Sequence, residues 1–487
     1  RNNKGIIMTN KGQPTSDEAV GFGYSGEESI NAETKLAEPE LVESQTPDPD
    51  VAPWYPKWRK IDKLEPGQMI APDERLPMGQ SLVMGVQHVV AMFGATVLGP
   101  LLMGFDANLA ILMSGIGTLI FFFFVKGQVP SYLGSSFAFI GGVVSVTAYS
   151  GSGINPNIGV ALGAIIVCGL IYTLIGLVVW HFNAKGNASA WIEKFMPPVV
   201  TGAIVAVIGL NLAPVAASGA MASGSTYDAL MAIVTMVSVG LVAVFTRGML
   251  QRLLILIGLI LSYLVYYVFS NVFGFGTPVD LSAVAAAPWF GLPTFYKPEF
   301  QFSAITIIAP VAIILVAENL GHIRAVSAMT GRDLDKYLGR AFVGDGVATM
   351  VAASVGGTGV TTYGENIGVM SVTRIYSTII FVIAAIFAII LGFSPKFGAL
   401  IHSVPAPVLG GVSVVVFGLI AIAGARIWVT NHVDFSDNRN LIVAAIAVIL
   451  GAGNFTIELG MFKLEGIGTA TFGAILLYQL LSINRAK

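Results

Sequence analysis

The sequence predicts an all-α polytopic membrane protein with about fourteen transmembrane segments, arranged as two inverted halves of seven. Three observations predict it. Hydrophobic residues make up 55% of 487 positions and charged residues 11%, with a mean hydropathy of +0.77, a balance foreign to soluble globular domains. Apolar runs long enough to cross a bilayer recur after residue 75. Two of these runs, at matching places in the two halves, are interrupted by Gly, Ser, Thr and Pro.

Residues 1–75 form a separate zone, with 9 Lys/Arg against 14 Asp/Glu and many Pro and Ser. Lacking apolar periodicity, it buries too little surface to offset its ordering entropy, so a largely disordered acidic tail is expected. Its end, Trp54-Tyr55-Pro56-Lys57-Trp58-Arg59-Lys60, mixes aromatic and basic residues as an interfacial anchor on an anionic leaflet would. An inert tail end is the alternative.

The apolar segments then fall near 79–103, 108–125, 130–148, 157–181, 195–214, 227–246, 251–273, 302–323, 338–355, 364–373, 376–393, 405–424, 440–454 and 466–483. Charge asymmetry supports the count. With a cytoplasmic N-terminus, Lys126, Lys185, Lys194, Arg247, Arg252, Arg324, Arg332, Lys336, Arg340, Arg374, Arg426, Arg439, Arg485 and Lys487 lie inside, and only Lys297, Lys396 and Lys463 lie outside. That is the excess the positive-inside rule demands, and it places both termini in the cytoplasm.

The first and eighth segments start about 220 residues apart. The same offset carries Gly134-Ser135-Ser136-Phe137-Ala138 close to Gly357-Thr358-Gly359-Val360-Thr361. Seven is odd, so the second copy enters from the opposite side. Each interrupted segment reads as a short extended piece followed by a half-helix, the arrangement that marks a transporter's binding site.

Candidate functional residues stand out by cost, because an ionised group at membrane depth is expensive. Glu318 and His322, four apart, share a helix face in Val316-Ala317-Glu318-Asn319-Leu320-Gly321-His322. A carboxyl beside an imidazole out of water is what a proton relay needs. Glu365 follows Thr361-Thr362-Tyr363-Gly364 and opens a half-helix, where unpaired N–H groups favour a carboxylate or a ligand carbonyl. His88 sits halfway along the first segment beside Gln87, as apt for the core as for a ligand site. Asp345, five residues after Arg340, is expected near the inner surface in a structural role. Tyr363 and Phe137 are candidates for stacking on a flat ligand, against the alternative of plain packing.

Other functions are excluded or unsupported. No GxxxxGK[ST] phosphate loop occurs. The lone Cys168 and the scattered His88, His181, His322, His402 and His432 offer no metal spacing. Asp106 and Glu458 belong to loops, and the tail carries no catalytic constellation for a membrane enzyme. No cofactor, metal or nucleic-acid partner is expected.

Glu365-Asn366-Ile367-Gly368-Val369-Met370-Ser371-Val372-Thr373-Arg374 matches the [QE]-N-x-G-x(4)-T-[RKG] signature of the nucleobase/ascorbate transporter family. Gln87-His88, the run Pro130 to Phe139 and Ala317 to His322 resemble it too, in the right order over about 76–483. The likeness is strongest to the bacterial uracil/pyrimidine permease branch, whose signature opens with Glu. The resemblance implies a homodimer in the bacterial inner or plasma membrane, importing uracil or a related pyrimidine by proton symport. It implies a core (76–182 and 302–393) and a gate (195–273 and 405–483) within a 76–487 transporter domain. It implies substrate contacts from Glu318, Glu365, Phe137, Gly364, Tyr363 and Ser136, and proton coupling through Glu318, His322 and His88. Gln87, Asn366, Gly368, Thr373 and Arg374 complete the signature set. The alternatives are a purine carrier of the same family or an anion transporter on the same fold.

Overall fold

The computed structural model describes residues 47–48, 52–61, 68–149, 153–183, 188–460 and 462–483, so most of the acidic tail lies outside it. Each predicted apolar segment falls on a helix. In order these are Met78–Met103, Ala107–Phe124, Ile140–Thr147, Ile158–Asn183, Pro198–Asn211, Thr226–Phe245, Leu254–Tyr267, Val311–Thr330, Leu338–Val355, Gly364–Thr373, Thr378–Gly392, Ala406–Thr430, Asn438–Ala452 and Gly466–Ser482. Among the described residues, nine helical runs are long and apolar enough to cross a bilayer, or ten counting a pair bent by 81° at Ser394-Pro395. The chain is thus a multi-pass membrane protein.

Prolines break two long runs, because each lacks the N–H that would continue the helix. Pro310 separates Phe302–Ile308 from Val311–Thr330, and Pro214 lies in the first turn of Ala213–Ala220, just after Pro198–Asn211. Elsewhere the helices meet backbone to backbone. A side chain on Gly176 would lie 2.6 Å from the Val343 nitrogen, and one on Gly346 would lie 2.7 Å from that of Thr173. Small residues at such crossings replace the hydrophobic drive that lipid removes. Ala107–Phe124, Ile158–Asn183, Leu338–Val355 and Thr378–Gly392 form one packed set, whereas Pro198–Asn211, Thr226–Phe245, Ala406–Thr430 and Asn438–Ala452 form another.

The described part of the tail zone is not loose. Trp58 Nε1 donates to Thr378 Oγ1 at 3.0 Å, and Trp54 stacks on Phe123 with ring centres 4.7 Å apart. Lys126 Nζ donates to the Ala52 carbonyl, and Asp73 pairs with Arg332 at 2.5 Å. Ile70 bridges to Ile375, and Arg59–Lys60 pairs in parallel with Glu74–Arg75. The aromatic-basic segment packs on the ends of two helices through Trp54 and Trp58, while Trp54 and Tyr55 stay exposed.

Candidate functional site

The two interrupted segments meet. Leu133–Ser135 pairs antiparallel with Val360–Thr362, in the register Leu133 to Thr362, Gly134 to Thr361 and Ser135 to Val360. Each strand runs into a half-helix, and because the strands are antiparallel the two half-helices leave in opposite directions. A two-stranded pair leaves outer backbone groups to be satisfied without water. Hydroxyls of the flanking helices do this: Leu133 N donates to Thr118 Oγ1 at 2.9 Å, Val360 N donates to Thr349 Oγ1 at 3.2 Å, and Thr349 Oγ1 donates to Val360 O at 3.0 Å. The glycines are there for clearance, since a Cβ on Gly359 would lie 2.2 Å from the Phe139 ring.

Tyr363 is buried. Its hydroxyl donates to the Ser135 carbonyl at 2.9 Å and receives from Thr96 at 3.3 Å, so the ring braces the crossing from within. Ser136 is buried as well, its hydroxyl accepting from Ala138 N at the start of the first half-helix. Phe137 is half-buried and meets Phe417 edge-on at 6.3 Å, across to the second helix set.

The open side of the crossing carries the charges. Glu318 and Glu365 are half-buried, while Gly321 and Gly364 are exposed. A side chain on Gly364 would lie 3.5 Å from His322 Nε2. Behind His322 runs a buried chain of hydrogen bonds. His322 Nδ1 lies 2.9 Å from Thr362 Oγ1, which donates to Asn319 Oδ1 at 3.3 Å. Asn319 Nδ2 donates to Asp345 Oδ2 at 2.6 Å and to the Tyr172 hydroxyl at 2.9 Å. Thr362 has one proton and gives it to Asn319, so its oxygen accepts from His322 Nδ1–H. The imidazole nitrogen toward Gly364 is then the bare one.

Asp345 was expected at a surface and is fully buried, linked through Asn319 and Thr362 to His322. Arg340, the residue that suggested an interface, lies under the Trp180 ring at 4.0 Å and is buried too. Sequence reading missed Asp345, Asn319 and Tyr172 as one unit; an Asp between two glycines in an apolar helix was the available signal.

His88 is brought to the signature rather than to His322. Asn366 Nδ2 reaches His88 Nδ1 at 3.0 Å and the His88 carbonyl at 3.1 Å, and Phe381 covers the ring. The other signature residues shape the second half-helix. Gly368 admits Arg252, Thr373 Oγ1 accepts from Ile375 N at 3.4 Å, and Arg374 ends the helix in the left-handed region at φ 55. Gln87 is half-buried on the first helix. Among the described residues no group of three His, Cys, Asp or Glu could hold a metal.

Two broken helices crossing at the centre of a multi-pass helical bundle, with carboxylates on the open side, define the architecture of a membrane carrier. Solved structures share the fold: murine Slc26a9, named an anion transporter in the inward-facing state (TM-score 0.62, 11% identity, 84% of this chain and 69% of that one), and the transmembrane domain of the cyanobacterial bicarbonate transporter BicA (TM-score 0.52, 16% identity, 77% and 97%). The sequence matches the Permease family, Xan_ur_permease, over residues 79–460, and the chain belongs to it. Relatives include "Putative pyrimidine permease RutG" of Escherichia coli strain K12, 63% identical over 88% of this chain and 95% of its own. "Uracil permease" of Paenibacillus larvae is 43% identical over 84% and 96%. "Uracil permease" of Escherichia coli strain K12 is 38% identical over 86% and 96%. The protein is a permease, not an enzyme.

Proposed function

We propose that this permease imports uracil or a related pyrimidine nucleobase across the bacterial inner membrane by proton symport. The observation that carries the reading is the pair Glu318 and Glu365 beside the exposed Gly364 backbone. A pyrimidine edge alternates N–H donors with carbonyl acceptors. Two carboxylates accept from the first, and N–H groups opening the half-helices at Phe137 and Gly364 donate to the second. The names of the relatives, uracil and pyrimidine permeases, support the same substrate class.

In this reading the fourteen helical segments are fourteen spans in a seven-plus-seven inverted repeat, with both termini cytoplasmic. Spans 1–4 and 8–11 form the core, spans 5–7 and 12–14 the gate, and the core rocks against the gate to alternate access. Glu318 takes the transported proton, and the bare His322 Nε2 steadies it. Two protomers associate as a homodimer. Uptake of labelled uracil into proteoliposomes tests the proposal: an inward proton gradient should drive accumulation, and uptake indifferent to that gradient would refute the symport.

A further inference from the structure

At the end of the bundle opposite Trp54 and Trp58, the two helix sets are joined by side chains. Ser145 Oγ, near the end of the first half-helix, donates to Glu465 Oε1 at 2.6 Å, and Glu465 immediately precedes Gly466–Ser482, which packs on Asn438–Ala452 and Pro198–Asn211 of the second set. Lys463 Nζ lies 3.0 Å from the same carboxylate oxygen. The Lys463 backbone N–H donates to Thr306 Oγ1 at 3.3 Å, tying the strand pair Ile457–Leu459 and Phe462–Leu464 to the eighth segment. The Glu465 side chain is only 13% exposed.

Beneath this bridge lies a cavity of about 310 Å³, lined by Ala138, Gly142, Asn211, Ile314, Asn454 and Glu465 among others. Pro214 and Pro310, at the breaks in two of the helical runs, both line it. Its floor reaches Ala138, next to Phe137, and Ile314, one helical turn from Glu318. The cavity therefore lies between the Ser145–Glu465 bridge, whose two residues both line it, and the immediate neighbours of Phe137 and Glu318.

We propose that Glu465 is the latch of an outer gate, holding Ser145 across the seam and closing the passage by which substrate reaches Glu318 and Glu365 from outside. The proposal rests on the core-and-gate reading above. A charge-assisted hydrogen bond is strong enough to favour the closed seam. Lys463 sits on the same side of the seam as Glu465, so the carboxylate keeps a partner when Ser145 moves away. A latch paired in both states biases the equilibrium without trapping it.

The test uses the full chain in right-side-out membrane vesicles with Cys168→Ala and a reporter, Val144→Cys, in the cavity wall. A membrane-impermeant maleimide is added outside. Glu465→Gln and Ser145→Ala should each raise the labelling rate, by about tenfold or more for the loss of one such bond. Glu458→Gln removes a neighbouring carboxylate that pairs with Lys463 at 3.5 Å but does not reach Ser145, and should leave the rate unchanged. If Glu465→Gln fails to reach the membrane, Ser145→Ala reads the same latch from the opposite side. Failure of the rate to rise in the variants that insert would overturn the latch. The readout involves no nucleobase, so a substrate other than uracil would show in uptake and leave this result intact.

Discussion

The ring of Tyr363 occupies the space that a side chain on Gly134 would need: an added Cβ would lie 2.4 Å from Cζ and 2.5 Å from Cε2. The glycine of one broken segment is thus fitted to the tyrosine of the other, and the crossing closes only because the two match.

Gly134→Ala should lower the melting temperature and weaken substrate binding together, since the Tyr363 hydroxyl is held by Ser135 and Thr96 and its ring cannot swing aside freely. Pairing it with Tyr363→Leu should recover part of the loss. A double-mutant cycle in thermal unfolding should give a coupling of about 1–3 kcal/mol; strict additivity would mean the two do not constrain each other.

Glu318→Gln should retain some uracil binding but lose accumulation against a gradient, because an amide of the same shape cannot carry the proton. Full concentrative uptake by this variant, still collapsed by a protonophore, would assign coupling elsewhere.

Glu365→Gln replaces part of an acceptor with a donor, and uracil affinity should fall by at least about tenfold. Uracils methylated at a ring nitrogen should bind poorly to the unsubstituted protein, and xanthine should compete weakly. Equilibrium binding of labelled uracil with these competitors measures all three. Equal potency of N-methylated uracils would remove the paired-carboxylate reading.

Thr362→Val deletes the hydroxyl that sits between His322 and Asn319. The imidazole then loses what fixes its bare nitrogen toward Gly364, and transport should drop by about tenfold, as for a buried polar group left unsatisfied. Thr362→Ser, which keeps the hydroxyl, should restore most of the rate. Equal activity of the two variants would reduce the hydrogen-bond chain to packing.

For sidedness, Lys297→Cys and Glu458→Cys in a Cys168→Ala background should label from outside intact cells, and Lys336→Cys should not. All three positions have exposed or part-exposed side chains, so orientation rather than burial decides the result. The reverse pattern would turn the protein over.

The hydrophobic segments were legible because lipid imposes one solvent rule along the whole chain. Glu318 and Glu365 were legible for the complementary reason, as groups that the same rule penalises. What sequence could not show was partnership. Nothing local says that Leu133 faces Thr362, or that Thr118 and Thr349 supply the hydroxyls their strands lack. Asp345 was expected near the inner surface from its nearness in sequence to Arg340, and only the fold shows its side chain buried against Asn319 while the Arg340 guanidinium lies on Trp180. For Trp54 and Trp58 composition left a lipid anchor and an inert tail end both open, and it could not show that Trp58 gives its N–H to Thr378.

The crossing also sets a condition on biosynthesis. Ser135 is bound to Thr358 across 223 positions of sequence, and a chain emerging at about 5–20 residues per second separates them by roughly ten to forty-five seconds. During that interval the first broken segment has already been made, and the strand it will pair with has not. Until then its main-chain groups must be sheltered by Thr118 and its neighbours, by residual water or by the insertion machinery. Nascent chains stalled before Val360 should therefore be the ones most prone to recognition and removal by membrane quality control.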